Sequence, residues 1–514
     1  MRTLALQTAH GGRSAALGLA LAVAGAGCED GAGAGGPKAA APDAAMNPAP
    51  DAVEVDAAPP PLETNAALAV TSRGGRLYDA LGREVLFRGV NARVAGVFDV
   101  TFDDGRLPLI PVEAFGAADC RFLSEQLGAN LLRLPINWSA IEPERGRYDE
   151  DCLDRVSALV TACAAEGVHT LVDLHQDAYS KEIGQDGAPL WAIVPPPTAL
   201  LGGPLTDLEA RRLSPQVIAA FGSLYDNVDG LSDAHAAMAA RVARSIGDLP
   251  GVLALELHNE PVSFQAPRLA DFHERSGRAV RAAAPGLPIA FEPDALRNLR
   301  DAAPVTHPFP LDAAIYAPHL YTGIFSRGRD NWADGNVEAL ELSMAGARRE
   351  ADAHGAALLV GEYGIDPRAA RALEWLGHVH RLFDEHLASA AFWVYEEYGE
   401  GQWGLYDPAA PPTPEALPTR GPLRTPVALA LAHPYPQAVD GRVVSTRFDP
   451  ERATLEVDLA DVGPGEHWLS APALRYRDGV EVRCDGVVVP HRTGPGRVAV
   501  GCRGARLELA PAKP

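Results

Sequence analysis

GVLALELHNEP, residues 251–261, is the stretch around which the chain is organised. Val252, Leu253, Ala254, Leu255 and Leu257 make a nearly continuous apolar run. Such a run suits a short strand covered on both faces, as in a parallel sheet closed by helices. It ends at His258-Asn259-Glu260-Pro261, where Pro261 has no N–H to donate and so ends ladder pairing. A carboxylate in that place stands on rigid backbone and faces a cleft. Taken alone, Glu260 is equally well a solvated residue at a strand end, and the surrounding chain has to decide.

Outward from this stretch, strand-like and helix-like segments alternate. Upstream, 112–127 has helical apolar spacing, 130–135 (NLLRLP) reads as a strand, 149–166 as a helix capped by Asp149 and closed by Gly167, and 168–175 (VHTLVDLH) as a strand. Residues 68–91 read as a hairpin turning near 80–82 and leading into a strand at 85–90. The stretch 176–231 holds Pro195-Pro196-Pro197 and Gly202-Gly203-Pro204 and reads as a long irregular loop, a lid or substrate wall. Helix 232–246 precedes the central strand. Helix 269–284, strands 287–291 and 313–321, helix 336–354, strand 356–364, helix 368–388, strand 390–395 and helix 423–431 follow it. Eight strands alternating with helices, with no glycine-rich phosphate loop after the first, predict an α/β fold of the (β/α)₈ TIM-barrel type.

Past residue 436 the rhythm becomes one of short alternating runs (VVSTRFD, ATLEVDL, VEVRC, RVAVGC) between turns such as Asp478-Gly479 and Asp485-Gly486. This predicts a C-terminal all-β sandwich domain at 436–514 behind a barrel at 68–435. Cys484 and Cys502 each end a β-like run and are expected to pair. Cys120 and Cys152 are a weaker candidate pair, linking two neighbouring helices.

Residues 1–28 carry Arg2 and Arg13 and then an Ala/Leu/Gly run too short to span a bilayer, which reads as an export signal. Ala24-Gly25-Ala26-Gly27-Cys28 resembles a bacterial lipoprotein signal, with Cys28 the lipidated residue, although Gly25 stands where Leu is usual. Simple secretion with signal cleavage is the alternative. Residues 29–67, rich in Ala, Pro, Gly and Asp, cannot bury a core and read as a disordered linker. The expected location is therefore outside the cell, secreted or as an outer-surface lipoprotein of a bacterium. A net charge of −22 over 514 residues argues against nucleic acid or an anionic membrane as an electrostatic partner. No Cys/His spacing reads as a metal site, and no cofactor is expected.

In a barrel of this kind, function sits at the C-terminal strand ends. Those ends carry Asn91 and Arg93, Arg133, His175 and Asp177, Asn259 and Glu260, Glu292, His319 and Tyr321, Glu362, and Trp393 with Glu396. Paired carboxyl groups among polar and aromatic side chains are what glycoside hydrolysis needs. One gives a proton to the leaving oxygen while the other attacks or activates water. Arg133-Leu134-Pro135 with Trp138, His258–Pro261, His319-Leu320-Tyr321, Gly361-Glu362-Tyr363-Gly364 and Trp393 resemble glycoside hydrolase family 5. LHQDAYS at 174–180, GAPLWA at 187–192 and HPYPQAV at 433–439 are similar to its endoglycoceramidase branch.

The resemblance implies a retaining enzyme with Glu260 as acid/base and Glu362 as nucleophile. It implies that Arg133 and Tyr321 hold Glu362, that Asn259 binds the sugar 2-hydroxyl, and that His175 and Asp177 bind other hydroxyls. His319 is a further substrate-binding residue, and Trp393 floors the sugar. Glu260 is expected to be neutral, because a second carboxylate so near disfavours its ionisation. The implied substrate is a glycolipid, cut between glycan and ceramide or a similar lipid, by a monomer in peripheral contact with the substrate membrane. Two other readings stand beside this one: a polysaccharide endo-β-glucanase of the same family, and an inactive carbohydrate-binding surface lipoprotein. Phe98, Trp191, Ile193, Val194, Leu200, Leu201, Ile324 and Phe325 lie on rim loops, where they line a lipid slot or form the loops' own core. Arg93 stands where relatives often place a Lys.

Overall fold

The computed structural model describes residues 69–325, 330–398, 402–410 and 420–513. The expected export signal at 1–28, with Cys28, and the linker at 29–67 lie outside the described residues. Eight parallel strands close into a barrel: β1 (Arg88–Asn91), β2 (Leu131–Asn137), β3 (His169–His175), β4 (Val252–Glu256), β5 (Ile289–Phe291), β6 (Ala314–Tyr316), β7 (Ala357–Tyr363) and β8 (Ser389–Phe392), with β8 paired to β1. The decisive stretch supplies β4, buried at every position because it is covered by barrel interior on one face and helices on the other. The helical ring contains α1 (Ala117–Leu127), α2 (Glu150–Ala165), α3 (Pro215–Tyr225), α4 (Leu231–Ile246), α5 (Ala266–Ala283), α6 (Val337–His354), α7 (Ala372–Glu385) and α8 (Thr425–Leu431). Asp149 caps α2 by accepting from the Cys152 N–H at 2.9 Å, and Gly355 closes α6 in the left-handed region at φ 67°.

The N-terminal mouth of the barrel is plugged. Leu131, Leu171, Leu253, Ile315 and Leu359 from the strands form one core with Val70, Leu77, Val85, Ala438 and Trp468. The last five belong to a seven-stranded sheet that joins the strands at 70–85 to those at 436–439, 466–470, 491–494 and 497–501. A five-stranded sheet faces it, and Val439, Leu469, Val498 and Val500 share a core with Leu455, Val457, Val482, Leu507 and Leu509. Strand Thr454–Ala460 alternates buried and half-buried positions, as a sandwich strand must. The β-rich region thus closes the bottom of the barrel and leaves its top free.

Several expectations need correction. The first hairpin turns at Gly74-Gly75, both at positive φ (55° and 74°), and 80–82 is a second turn before the short strand Glu84–Val85. The 176–231 stretch is irregular only to about residue 207. Ser214 accepts from the Val217 N–H and Pro215 occupies the first turn, so α3 forms where only loop was expected. The strand expected at 313–321 is regular only to Tyr316, with Pro318 just beyond; Leu320 makes a lone bridge to Tyr363, and His319 and Tyr321 lie past the strand's end. Of the apolar rim residues, Phe98 and Leu201 sit in a small core of their own with Val100 and Leu109, and Ile193 and Ile324 are buried in the main core. Leu200 and Phe325 remain exposed.

Cys484 pairs with Cys502, whereas Cys120 pairs with Cys163 and not with Cys152. Cys152 and Cys163 are about three helical turns apart and share a face of α2, so spacing alone did not distinguish them. Only the end of α2 that carries Cys163 lies against Cys120. The bridge spans 43 residues. By loop-closure entropy Cys120→Ser is expected to lower unfolding stability by about 3–4 kcal/mol in denaturant titrations of the oxidised protein, and Cys152→Ser by less than about 1.5 kcal/mol.

Candidate active site

The site is built around one buried cation. Arg133, mid-way along β2, is fully buried, and a buried guanidinium must find partners for all its donors. Its Nε and Nη2 donate to the two oxygens of Glu256 at 3.0 and 2.8 Å. Nη2 also donates to Asn259 Oδ1 at 2.8 Å, and Nη1 donates to Asn91 Oδ1 at 2.9 Å and Glu362 Oε1 at 2.7 Å. Asp173 and Glu292 lie 3.1 and 3.3 Å from Nη2. One side chain therefore aims residues from β1, β4 and β7 at the same point above the barrel.

Glu362, near the end of β7, accepts from Tyr321 Oη at 2.8 Å through its other oxygen. Across the opening stands Glu260, its side chain partly exposed and its backbone in the left-handed region at φ 39°. That backbone state costs about 1–3 kcal/mol for a non-glycine residue and persists where the surroundings enforce it. Gln176 helps enforce it, donating to the carbonyls of Asn259 and Glu260. Glu260 Oε1 accepts from Asn298 Nδ2 at 2.6 Å and from His319 Nδ1 at 2.8 Å. His319 Nδ1 lies 3.5 Å from Glu362 Oε2, and oxygens of Glu260 and Glu362 come within 4.8 Å of each other.

The protonation pattern corrects one expectation. Burial would raise the Glu260 carboxyl, but the hydrogen bond and charge of His319, with Arg212 beyond, bring it down to about 2. Burial would likewise lower His319. The charges of Glu292 and Glu362 and its bond to Glu260 instead raise it well above the ordinary imidazole value. In the free protein the proton therefore rests on His319 and not on Glu260. Burial, with Glu256 as a like-charged neighbour, raises Glu292 and Asp173 well above the carboxylate range, while Arg133 holds Glu256 below it. Glu256, Glu292 and His319, and likewise Glu260, His319 and Glu362, bring donor atoms within metal-binding distance. Both sets include His319, which as an imidazolium has no lone pair to give.

The remaining residues singled out from the sequence divide. His175, ending β3, is held to Asp173 through Nδ1 at 2.6 Å, and burial pushes it down to about 4, so it is neutral. Its ring stacks on Trp393, with centroids 5.6 Å apart and planes 9° from parallel. Asn259 is committed on both sides, accepting from Arg133 and donating to the Gln176 carbonyl at 2.9 Å. Asp177 is tied up by Arg212 at 2.9 and 2.6 Å, an ion pair not visible in the sequence because Arg212 lies 35 residues away in the supposed loop. Arg93 pairs with Glu397 at 2.6 Å and lies 5.5 Å from the Trp393 ring.

Asp173, Glu256, Gln176 and Asn298 were missed. The first two carried a signal, since a lone carboxylate inside an otherwise apolar barrel strand requires a buried partner. Asn298, on the four-residue helix Arg297–Arg300, carried none.

Known proteins share this arrangement of elements. A family model described as "Cellulase (glycosyl hydrolase family 5)" matches residues 110–399. Endoglycoceramidase I of Rhodococcus hoagii (strain 103S) is 27% identical over 464 residues, covering 84% of this chain and 85% of the relative. An endoglycoceramidase of Cyanea nozakii is 25% identical, covering 78% and 83%. Among solved structures, an endogalactoceramidase superposes with a TM-score of 0.71 at 24% identity, over 86% of this chain and 100% of that one. The lactosyl-enzyme intermediate of endo-glycoceramidase II from Rhodococcus sp. superposes at 0.68 and 23%, over 85% and 100%. With its matched residues spanning more than half the sequence and seven of the eight barrel strands, the chain is a glycoside hydrolase and belongs to glycosyl hydrolase family 5.

Proposed function

We propose that the protein is a retaining β-glycosidase that cuts between the glycan and the lipid of a glycolipid, with Glu362 as nucleophile and Glu260 as acid/base. The observation that carries this is the closeness of the two carboxyl groups, an oxygen of Glu260 lying within 4.8 Å of an oxygen of Glu362. Retention needs them about 5–5.5 Å apart, whereas inversion needs about 6.5–9.5 Å to fit a water. Glu362, aimed by Arg133 and Tyr321, attacks the anomeric carbon as the glycosidic bond breaks, and the leaving oxygen takes a proton from Glu260. That proton reaches Glu260 from His319 along their 2.8 Å hydrogen bond. Water, deprotonated by Glu260, then opens the glycosyl ester and restores Glu362. Trp393 and His175 form one wall for the sugar. The glycolipid substrate is supported by the Rhodococcus hoagii and Cyanea nozakii relatives, which are endoglycoceramidases. Arg2, Arg13 and the apolar run before Cys28 support export, as a secreted protein or a lipidated one acting as a monomer at the substrate membrane.

Incubation with a ceramide glycoside and, separately, with a soluble β-glucan tests the substrate. Release of intact glycan and free ceramide is expected, and cleavage of the glucan alone would overturn it. Among the described residues, the Phe325–Trp403 stack, at 5.7 Å beside Tyr321, favours the glucanase reading.

His319 offers a sharper test. With the proton shared between His319 and Glu260, the basic limb of the kcat/KM profile reports the pair, and the raised His319 value places it high. His319→Gln leaves Glu260 as sole carrier, so that limb is expected to move to lower pH by more than about one unit. An unmoved limb would mean that His319 does not hold the proton. His319 also contributes stability below its unfolded value near pH 6.5, and this is lost as pH rises through the higher folded value.

A further inference from the structure

Two consecutive residues reach the two groups that share the site's proton. Between β5 and β6 the chain makes only the four-residue helix Arg297–Arg300, whereas α5 and α6 on either side have 18 residues each. Arg297 is buried, and its Nη1 donates to the His319 carbonyl at 3.2 Å. Asn298, next to it, is half-buried and donates from Nδ2 to Glu260 Oε1 at 2.6 Å. The amide must turn its nitrogen this way, since a carboxylate oxygen can only accept.

The short helix is anchored to both of its neighbours in the barrel. Arg297 Nε donates to Glu350 Oε2 at 2.7 Å and its Nη2 to the Ser343 carbonyl at 3.1 Å, both on α6. Tyr316 Oη donates to the same Glu350 oxygen at 2.7 Å, and the Ala303 N–H to the other at 2.8 Å. Just before the helix, the Ala295 N–H donates to the Pro261 carbonyl at 2.8 Å, tying it to the residue after Glu260. Asn298 is thus held out to Glu260 by a frame that does not depend on the Glu260 side chain.

A glutamate carboxyl turns easily about its last bond, because that torsion has no steep preferred value. A single bond to Oε1 would let it pivot. Two donors from different elements, Asn298 and His319, fix its plane. The two donors are not alike. When His319 passes its proton to Glu260, its Nδ1 has none left to donate. An amide N–H does not titrate, so Asn298 remains a donor to Oε1 in every protonation state of the pair.

We infer that Asn298 is a positioning residue, which keeps the Glu260 carboxyl aimed at the leaving oxygen and then at the attacking water. This rests on the reading of Glu260 as acid/base, so Glu260→Ala is measured beside it. The test compares octyl and dinitrophenyl β-glycosides of one glycone, using the full-length protein and Asn298→Leu, which keeps the volume and loses the donor. Cleavage of the octyl glycoside needs a proton from Glu260. Its kcat/KM is expected to fall by about 10- to 100-fold, the worth of a hydrogen bond to a charged group. Dinitrophenolate leaves unaided, so kcat/KM for that substrate should hold within about threefold. Its kcat should fall, because activating water needs the aimed base, and azide should restore it. Equal losses on both substrates would mean a merely structural role and overturn the proposal, as would no loss on either. A split between the substrates in Glu260→Ala but not in Asn298→Leu would overturn the positioning role and leave the acid/base standing. No split in Glu260→Ala would overturn both. If circular dichroism shows Asn298→Leu unfolded, Asn298→Ala replaces it.

Discussion

Glu362→Gln is expected to lower kcat on every glycoside the protein cleaves by about 10⁴-fold or more, the scale on which loss of a covalent nucleophile is felt. The substitution keeps the shape and keeps an acceptor for Tyr321. It also leaves Arg133 charge-paired, because Glu256 holds two of its nitrogens independently. The loss is therefore chemical and not a collapse of the barrel, which circular dichroism would check. The companion Glu362→Ala leaves room on the face where the carboxylate stood. With an activated dinitrophenyl β-glycoside, azide is expected to enter there and give the α-glycosyl azide. Substantial activity of Glu362→Gln without additives would place the nucleophile elsewhere.

That Glu362 and Glu260 could be singled out from sequence as a candidate pair reflects how barrels expose chemistry. Each barrel strand is a buried apolar run, and polar residues just past its end can only be at the rim. β4 shows this most simply: Val252–Glu256 pairs on both edges, and Asn259 and Glu260 just past its end meet the site residues, while His258 packs against Phe221 and Phe272 of the helices. The alternation of strands and helices was legible because both periodicities are local. Where the reading failed, the cause was long-range pairing. The hairpin at 70–79 joins its sheet through Glu84–Val85, and that short strand pairs with Pro436–Val439, more than 350 positions later. The partner of Asp177 was equally out of reach: Arg212, 35 residues away, bonds both its oxygens, each of which keeps a lone pair for a sugar hydroxyl.

The charge state of the site failed for the same reason. Two facing carboxylates predict a neutral acid only if nothing else stands between them. His319 does stand between them, and it is itself held cationic with the help of Glu362, on β7 and 3.5 Å away. Asp173 and Glu256 were visible as carboxylates in apolar strands. Their meaning came only with Arg133, whose charge they share with Glu292 and Glu362.

The second large effect concerns Glu260. Glu260→Ala is expected to lower kcat/KM on alkyl or lipid glycosides by about 10²–10⁴-fold, the usual worth of a general acid. A dinitrophenol leaving group needs no proton, so with that substrate the first step survives. The glycosyl ester on Glu362 then accumulates because no base activates water, giving a burst equal to the enzyme concentration followed by slow turnover. Azide, which needs no base, attacks that ester from the side Glu260 vacated and yields the β-glycosyl azide, the opposite anomer from the Glu362→Ala product. Opposite anomers from the two variants assign both carboxylates at once, and the same anomer from both would refute the assignment. Stability carries an independent sign. Because Glu260 is depressed to about 2, its ionised form contributes stability above the unfolded value near pH 4.3, lost as pH falls toward 2. Glu260→Gln should therefore flatten the fall of unfolding stability between about pH 4.3 and 2 relative to wild type, and an identical acid limb would mean that His319 and Arg212 do not hold Glu260 ionised.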